Sequence, residues 1–315
     1  MDKRTSPTPA ETRKLFDNED PTEVWAKTGE IILDMAPDYD FTSLRNTYND
    51  VLQMFFGTYP GYFAIRTPYH DLGHTLNVFL CAVRLMHGVH VSGTRLSSTE
   101  MSQIMIAALM HDIGYAQTLD DKSGTGAQYT RIHVDRGVSF MRHYLAVRQL
   151  PASWEIPLEC MIRSTDHMKD FALIAFPNAH IRLLGQIVGT ADLVGQMADD
   201  TYLEKLQYLY SEFKEAHLGN YQDAQDLMRK TRNFYEVIRH KLDEELGSNY
   251  LKLAQHFKNY YGDERNYYLE SIEKNMAYLT QAAERESTED SLAMLRRRST
   301  AAKAVSAMPA PPHVM

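Results

Sequence analysis

Apolar residues recur at three- and four-residue intervals along most of this chain of 315 residues, a spacing that suits helices and almost nothing else. Within residues 69–86, Leu72, Leu76, Phe79, Leu80 and Val83 fall on one face. Residues 101–110 form an apolar run preceded by Ser97 and Glu100, the spacing of a helix-starting capping box. In 201–216, Tyr202, Leu206, Leu209 and Phe213 share a face, with Glu204 and Lys205 opposite. Residues 21–35 and 41–56 each offer an amphipathic helix, separated by Ala36-Pro37-Asp38. Period-two alternation between tight turns is scarce. The expected fold is all-α, a compact multi-helix domain whose 44% hydrophobic content supplies a substantial core.

Several of these helical segments carry imidazoles and carboxylates of the kind that bind divalent metals. His70 and His74 are four apart in Tyr69-His70-Asp71-Leu72-Gly73-His74, so a helix through both would project them from one face, one turn apart. His111-Asp112 ends the run 101–110, and Gly114 is expected to break that helix. Asp192, in Thr190-Ala191-Asp192-Leu193, follows a mainly apolar run and calls for a compensating cation.

The order His, His-Asp, Asp on successive helices resembles the HD superfamily of metal-dependent phosphohydrolases. More narrowly it is similar to the catalytic domain of class I cyclic nucleotide phosphodiesterases, over residues 41–215. Tyr69-His70 with His74 is similar to that family's Tyr-His-Asn-x-x-His, with Asp71 where the asparagine stands. Ala107-Ala108-Leu109-Met110-His111-Asp112-Ile113 is similar to the segment with its His-Asp pair, Thr190 to Leu193 to its Cys-Ala-Asp-Leu, and Ser164-Thr165-Asp166 more loosely to its Ala-Thr-Asp. The resemblance implies that His74, His111, Asp112 and Asp192 hold a first ion, with Asp112 reaching toward a second. It also implies a hydroxide shared by the two ions as nucleophile, and His70 as the general acid that protonates the leaving oxygen.

The chain departs from that family after His111-Asp112, where it reads Ile113-Gly114-Tyr115 instead of continuing into Asp-His and asparagines. Its Leu-Glu-x-His-His segment has only the loose counterpart Arg131-Ile132-His133-Val134-Asp135, without the glutamate. His133 and Asp166-His167 resemble instead bacterial HD and HD-GYP hydrolases, in which extra histidines complete a second metal site. His133, Asp166 and His167 are therefore the candidates for binding a second ion or supporting the ligands of the first, Asp166 rather in the supporting role. The implied cofactors are two divalent ions: zinc, iron or manganese suit imidazole-rich ligation, magnesium or manganese a site of carboxylate and water.

Other polar residues carry plainer expectations. Arg136, Arg163 and Lys169 are read as complementing carbonyls and water rather than steadying a phosphate. Lys122-Ser123-Gly124-Thr125-Gly126 lacks the spacing of a phosphate-binding loop and reads as a mobile loop beside the metal site. The remaining histidines, His87 and His256 among them, match no motif.

Cys81 and Cys160 lie in apolar helical patterns and read as free thiols in a reducing cytoplasm. A net charge of −8 and the absence of a broad basic cluster argue against nucleic acid as a partner, and no apolar run is long enough for a membrane span. Residues 1–20 are expected to be a disordered N-terminal segment, 21–285 the helical catalytic domain, and the polar, then Ala/Pro-rich 286–315 a disordered tail. Residues 221–246 and 249–283 read as two long helices, the first stopped at Gly247 and the second bent at Gly262. They are free either to cover the active site or to form a homodimer surface.

Taken together, the expected activity is metal-dependent hydrolysis of a 3′,5′-cyclic nucleotide to its 5′-monophosphate. The alternatives are an HD-type phosphohydrolase acting on a nucleotide phosphomonoester or a cyclic dinucleotide, and a catalytically silent module that binds a nucleotide.

Overall fold

The structure is a computed structural model, and it describes residues 15–16 and 18–283. The described residues are helical, with no sheet among them; the one β-bridge joins Tyr62 and Thr118. Helices α1 (Pro21–Met35) and α2 (Thr42–Phe56) lead to α3 (Leu72–Val91) and α4 (Ser98–Met110). A 3₁₀ turn at Ile113–Tyr115 separates α4 from α5 (His133–Val147), and α6 (Glu155–Arg163) and α7 (Ala179–Ala198) follow. The remainder comprises α8 (Tyr202–Glu215), α9 (Ala224–His240), α10 (Lys252–Tyr261) and α11 (Tyr267–Ala283).

The capping chemistry sets the helix starts. Asp20 accepts the Thr22 amide at 2.8 Å just ahead of Pro21, whose fixed φ suits the first helical position. Ser97 and Glu100 form the expected reciprocal box, with the Ser97 amide donating to Glu100 at 2.8 Å.

Helix α3 is the axis of the bundle. Every residue from His74 to His90 is buried, so the helix has no solvent face and is wrapped by α1, α4, α7 and α10. Phe79, Leu80 and Leu85 are fully enclosed, each side chain contributing about 1.5–3 kcal/mol by its removal from water. The most extensive contact is with α7, and each helix brings an ionisable residue to it, His74 and Asp192.

Four expectations are corrected. The helix bearing the first histidine motif starts at Leu72, because the Asp71 carboxylate takes the His74 amide at 2.7 Å and caps it there. His70 therefore precedes the helix and does not share a helical face with His74.

The expected disorder of residues 1–20 does not extend to Leu15 and Phe16. Both are buried, Phe16 edge-on to Tyr268 at 4.9 Å, and the Leu15 carbonyl accepts from Arg84 at 2.8 Å. Apolar side chains at that point satisfy an uncovered patch of the core. The tail proposed at 286–315 and the first fourteen residues lie outside the described residues.

The C-terminal pair is more broken than its periodicity implies. Helix α9 widens into a π turn at Lys241–Glu245 before Gly247, and Gly262, in the left-handed region at φ +74°, separates α10 from α11 instead of bending one helix. Gly114 does not end α4, which stops at Met110; it lies within the following 3₁₀ turn, where it permits a close backbone approach.

No helix among the described residues is long and apolar enough to cross a membrane.

Candidate metal centre

Four side chains from three segments converge at the α3–α7 contact. His74 lies in the first turn of α3, His111 and Asp112 directly follow α4, and Asp192 lies midway along α7. All four are buried. His74 Nε2 is 3.1 Å from His111 Nε2 and 3.1 Å from Asp112 Oδ2, which is itself 3.0 Å from His111 Nε2. Asp192 Oδ1 stands 3.5 Å from His74 Nε2 and 3.6 Å from His111 Nε2. Ligand atoms held at about 2.0–2.2 Å from one ion lie roughly 3–3.5 Å from each other, so these separations fit donors facing a shared cation.

The protonation pattern also fits. His111 Nδ1 is 2.8 Å from the Ala108 carbonyl, which can only accept, so Nδ1 carries a proton and Nε2, on losing its own to a bound cation, would turn a lone pair toward the cluster. Asp112 Oδ2 is buried beside two imidazole nitrogens and has a hydrogen bond to neither. An anionic oxygen in that position is strongly disfavoured without a cation. His74, His111 and Asp112 together meet the distance and ligand-type requirements for a metal ion, and Asp192 Oδ1 stands beside the two imidazoles of that group.

His133 and His167 flank this group on opposite carboxylates. His133 is the first residue of α5; its Nδ1 donates to the Thr130 carbonyl at 2.7 Å, and Nε2 faces Asp112 Oδ1 at 3.5 Å. His167, on the loop after α6, places Nε2 2.8 Å from Asp192 Oδ2. Asp166 turns away, accepting the Met168 amide at 3.2 Å and pairing with Lys169 at 3.1 Å. Its place is thus in a surface ion pair and not among the ligands.

His70 sits at the edge of the cluster, its ring 5.5 Å from that of His74 and nearly perpendicular to it. Glu212 holds it there. This carboxylate is buried on α8, accepts the Tyr69 and His70 amides on Oε1 at 2.6 and 3.2 Å, and faces His70 Nδ1 from Oε2 at 2.5 Å. Glu212 so fixes both the backbone and the ring of His70.

Electrostatics follows from the crowding of acids. Burial alone depresses the basicity of His70, but the Glu212 and Asp112 carboxylates outweigh it and raise the pKa to about 9. His111 is likewise raised to about 9, against burial, by Asp112 and Asp192. Asp112 and Asp192 are held below the usual carboxylate range: burial opposes ionisation, but His111 with His70 on Asp112, and His111 with His167 on Asp192, reverse it. The imidazolium protons occupy, in electrostatic terms, the place a dication would take.

A stability prediction follows for protein stripped of metal. Two histidines whose folded pKa values lie above 6.5 contribute stabilisation that is complete below pH 6.5 and is lost as the pH rises toward 9. The melting temperature of chelator-treated protein is expected to fall across that interval, and zinc at saturating concentration is expected to flatten the fall. A stripped protein with equal melting temperatures at pH 6.5 and 9 would contradict this assignment.

Three residues of the site escaped the sequence pattern. Glu212 and Lys205 are seven apart on α8 and both face inward, Lys205 pairing with Asp199 at 3.2 Å and with Asp71 at 3.5 Å. Lys205 thus turns inward, against the expectation that it lies opposite the apolar face. Tyr115 is the third, and its ring stacks on both His70 and His133.

Arg136 donates to the Gly114 and Ala116 carbonyls at 2.7 Å each, as its plainer reading has it, whereas Arg163 and Lys169 pair with acidic side chains instead of carbonyls and water. The Lys122 to Gly126 loop is tied to α8, where Glu215 accepts the Thr125 amide at 2.8 Å and its hydroxyl at 2.9 Å.

Residues 118–274 match a family model described as Npun_R2479-like. That span falls just short of half the chain; it takes in His133, His167, Asp192 and Glu212 and leaves out His70, His74, His111 and Asp112. No curated protein and no solved structure matches the chain.

Proposed function

We propose that the chain is a metal-dependent phosphohydrolase of the HD type that cleaves a phosphodiester, with a 3′,5′-cyclic nucleotide as the first substrate to test. The observation that carries the reading is the convergence of His74, His111, Asp112 and Asp192 within 3.0 to 3.6 Å of each other across the measured pairs, beside an imidazole paired with a buried carboxylate.

His74, His111, Asp112 and Asp192 would hold one divalent ion, and His133 beside Asp112 and His167 beside Asp192 would be the added donors for a second. Bound ions would neutralise phosphate charge and bring the pKa of water toward neutrality. The remaining chemistry belongs to the protein. His70, protonated and oriented by Glu212, delivers a proton to the departing sugar oxygen, and the capping of α3 by Asp71 keeps His70 outside the helix and free to face substrate. Cys81 and Cys160, both buried free thiols, support a reducing compartment, the cytoplasm, for the protein.

The direct test is purified protein assayed with manganese, magnesium, zinc or iron against cyclic mononucleotides, cyclic dinucleotides and nucleoside monophosphates. The reading expects metal-dependent release of a 5′-monophosphate from a cyclic mononucleotide. Turnover confined to another class reassigns the substrate, and metal uptake without turnover on the whole panel overturns the hydrolase reading.

The acid role makes a second prediction. Removing the Glu212 charge with Glu212→Gln lowers the basicity of His70, so the high-pH limb of the kcat profile is expected to move to lower pH, and kcat to drop about 10- to 100-fold. An unmoved limb would remove His70 from the acid role.

A further inference from the structure

The three aromatic rings beside the metal centre have an arrangement that pairwise contacts alone do not describe. Tyr115 stacks on His70 at 4.7 Å and 24°, and on His133 at 4.6 Å and 12°, while the two imidazoles are 6.3 Å apart. A tyrosine sandwiched between them would hold them about 9 Å apart, since two stacked rings on opposite faces add their separations. At 6.3 Å the centroids instead make nearly a right angle at Tyr115, which puts both imidazoles side by side over one face of the phenol.

That floor is built to stay in place. Tyr115 is 1% exposed and ends the 3₁₀ turn that follows Asp112. The Arg136 guanidinium holds the carbonyls on either side of it, Gly114 and Ala116, and lies 3.6 Å over the Tyr129 ring. Beneath the turn, Gly114 lets the backbone meet the His133 carbonyl, and Gly126 leaves room for the Tyr115 carbonyl. The Tyr115 hydroxyl is buried and makes no hydrogen bond of ordinary geometry. The ring face and not the hydroxyl is therefore the functional part.

We propose that Tyr115 is a positioning residue, a common floor that sets the His70 imidazole and the His133 imidazole in fixed register, and so ties the proton donor to the ligand of a second divalent ion. The proposal rests on the metal-dependent reading above. Neither imidazole can tilt or slide without losing its stack, and each has its Nδ1 already committed, His70 to Glu212 and His133 to Thr130, so the floor fixes the remaining freedom, the direction of Nε2.

The test counts metal as well as turnover. Wild type, Tyr115→Phe and Tyr115→Leu are equilibrated with manganese, desalted and measured for metal per chain, then assayed for kcat and KM on a turned-over substrate. The expected result is two ions in wild type and Tyr115→Phe, with kcat within about threefold of each other because the ring face is kept. Tyr115→Leu is expected to retain one ion, held by the four buried donors, and to lose the other, with kcat down about 10- to 100-fold and KM nearly unchanged. The retained ion doubles as the folding control. Should Tyr115→Leu not fold, Tyr115→Met, which keeps apolar volume without a flat ring, is judged by the same criteria against Tyr115→Phe.

Two ions in Tyr115→Leu at wild-type affinity overturn the proposal, as does a Tyr115→Phe that loses as much as Tyr115→Leu, or a wild type that takes up a single ion. Because the ion count needs no substrate, a wild type that binds two ions and hydrolyses nothing sinks the hydrolase reading while leaving the floor tested.

Discussion

Asp112→Asn is expected to lower phosphodiester hydrolysis by about 10³-fold or more, equivalent to roughly 4 kcal/mol of lost transition-state stabilisation, and to leave the purified protein nearly free of metal. Asp112 faces imidazoles from both of its oxygens: Oδ2 faces His74 and His111 at 3.1 and 3.0 Å, and Oδ1 faces His133 at 3.5 Å. An amide in its place has no charge to offer a cation. One end of it would also be an NH₂ group, which cannot ligate. The substitution adds no bulk, and α4 keeps its capping box, so circular dichroism is expected to match wild type. Elemental analysis together with kcat reads the result, and a variant that still carries a full complement of metal would contradict the assignment.

Gly114→Ala is expected to destabilise the protein by about 3 kcal/mol, at the upper end of the range for overpacking a tight interior. A Cβ there would meet the His133 carbonyl oxygen at 1.8 Å, its carbon at 2.7 Å and the Gly137 amide nitrogen at 2.8 Å. All three are backbone atoms at the start of α5, so no side chain can swing aside and the helix itself must move. For a domain of this size the shift in melting temperature is about 6–12 °C. Since His133 is the first residue of α5, the displaced helix also carries its imidazole off Tyr115 and away from Asp112. Gly29 is the control: a Cβ there meets nothing within 4 Å, and Gly29→Ala in the middle of α1 is expected to be neutral or to stabilise by up to about 1 kcal/mol. Equal melting temperatures for the two variants would show that the close approach does not constrain the turn.

The parts of the fold legible in the sequence were those governed by local chemistry. Ser97 with Glu100 announces the start of α4 because a capping box involves residues three apart. The convergence of His74, His111, Asp112 and Asp192 was legible because these residues sit at or inside strong helical patterns, and their order along the chain implied a meeting. His70 was misplaced for a local reason: four-residue spacing predicts a common helix face only if no side chain captures the amide between, and Asp71 does so.

Glu212 and Tyr115 were illegible for a different reason. Their roles depend on α8 and the turn after α4 meeting the segment before α3, and nothing within either stretch of sequence specifies that meeting. Glu212 lies next to Phe213 on a helix with an ordinary amphipathic pattern, and only tertiary contact turns it inward beneath His70. Gly114 misled in the same manner, since a glycine that permits a close backbone approach and a glycine that ends a helix look alike until the neighbouring element is known.

The central claim is that the four buried donors share an ion, and anomalous diffraction tests it most directly. Crystals of protein purified without chelator, measured across the manganese, iron and zinc edges, should give a peak at about 2.0–2.2 Å from His74 Nε2, His111 Nε2 and one oxygen each of Asp112 and Asp192. Density showing those four groups hydrogen-bonded to each other or to water, with no anomalous peak between them at any edge, would contradict it.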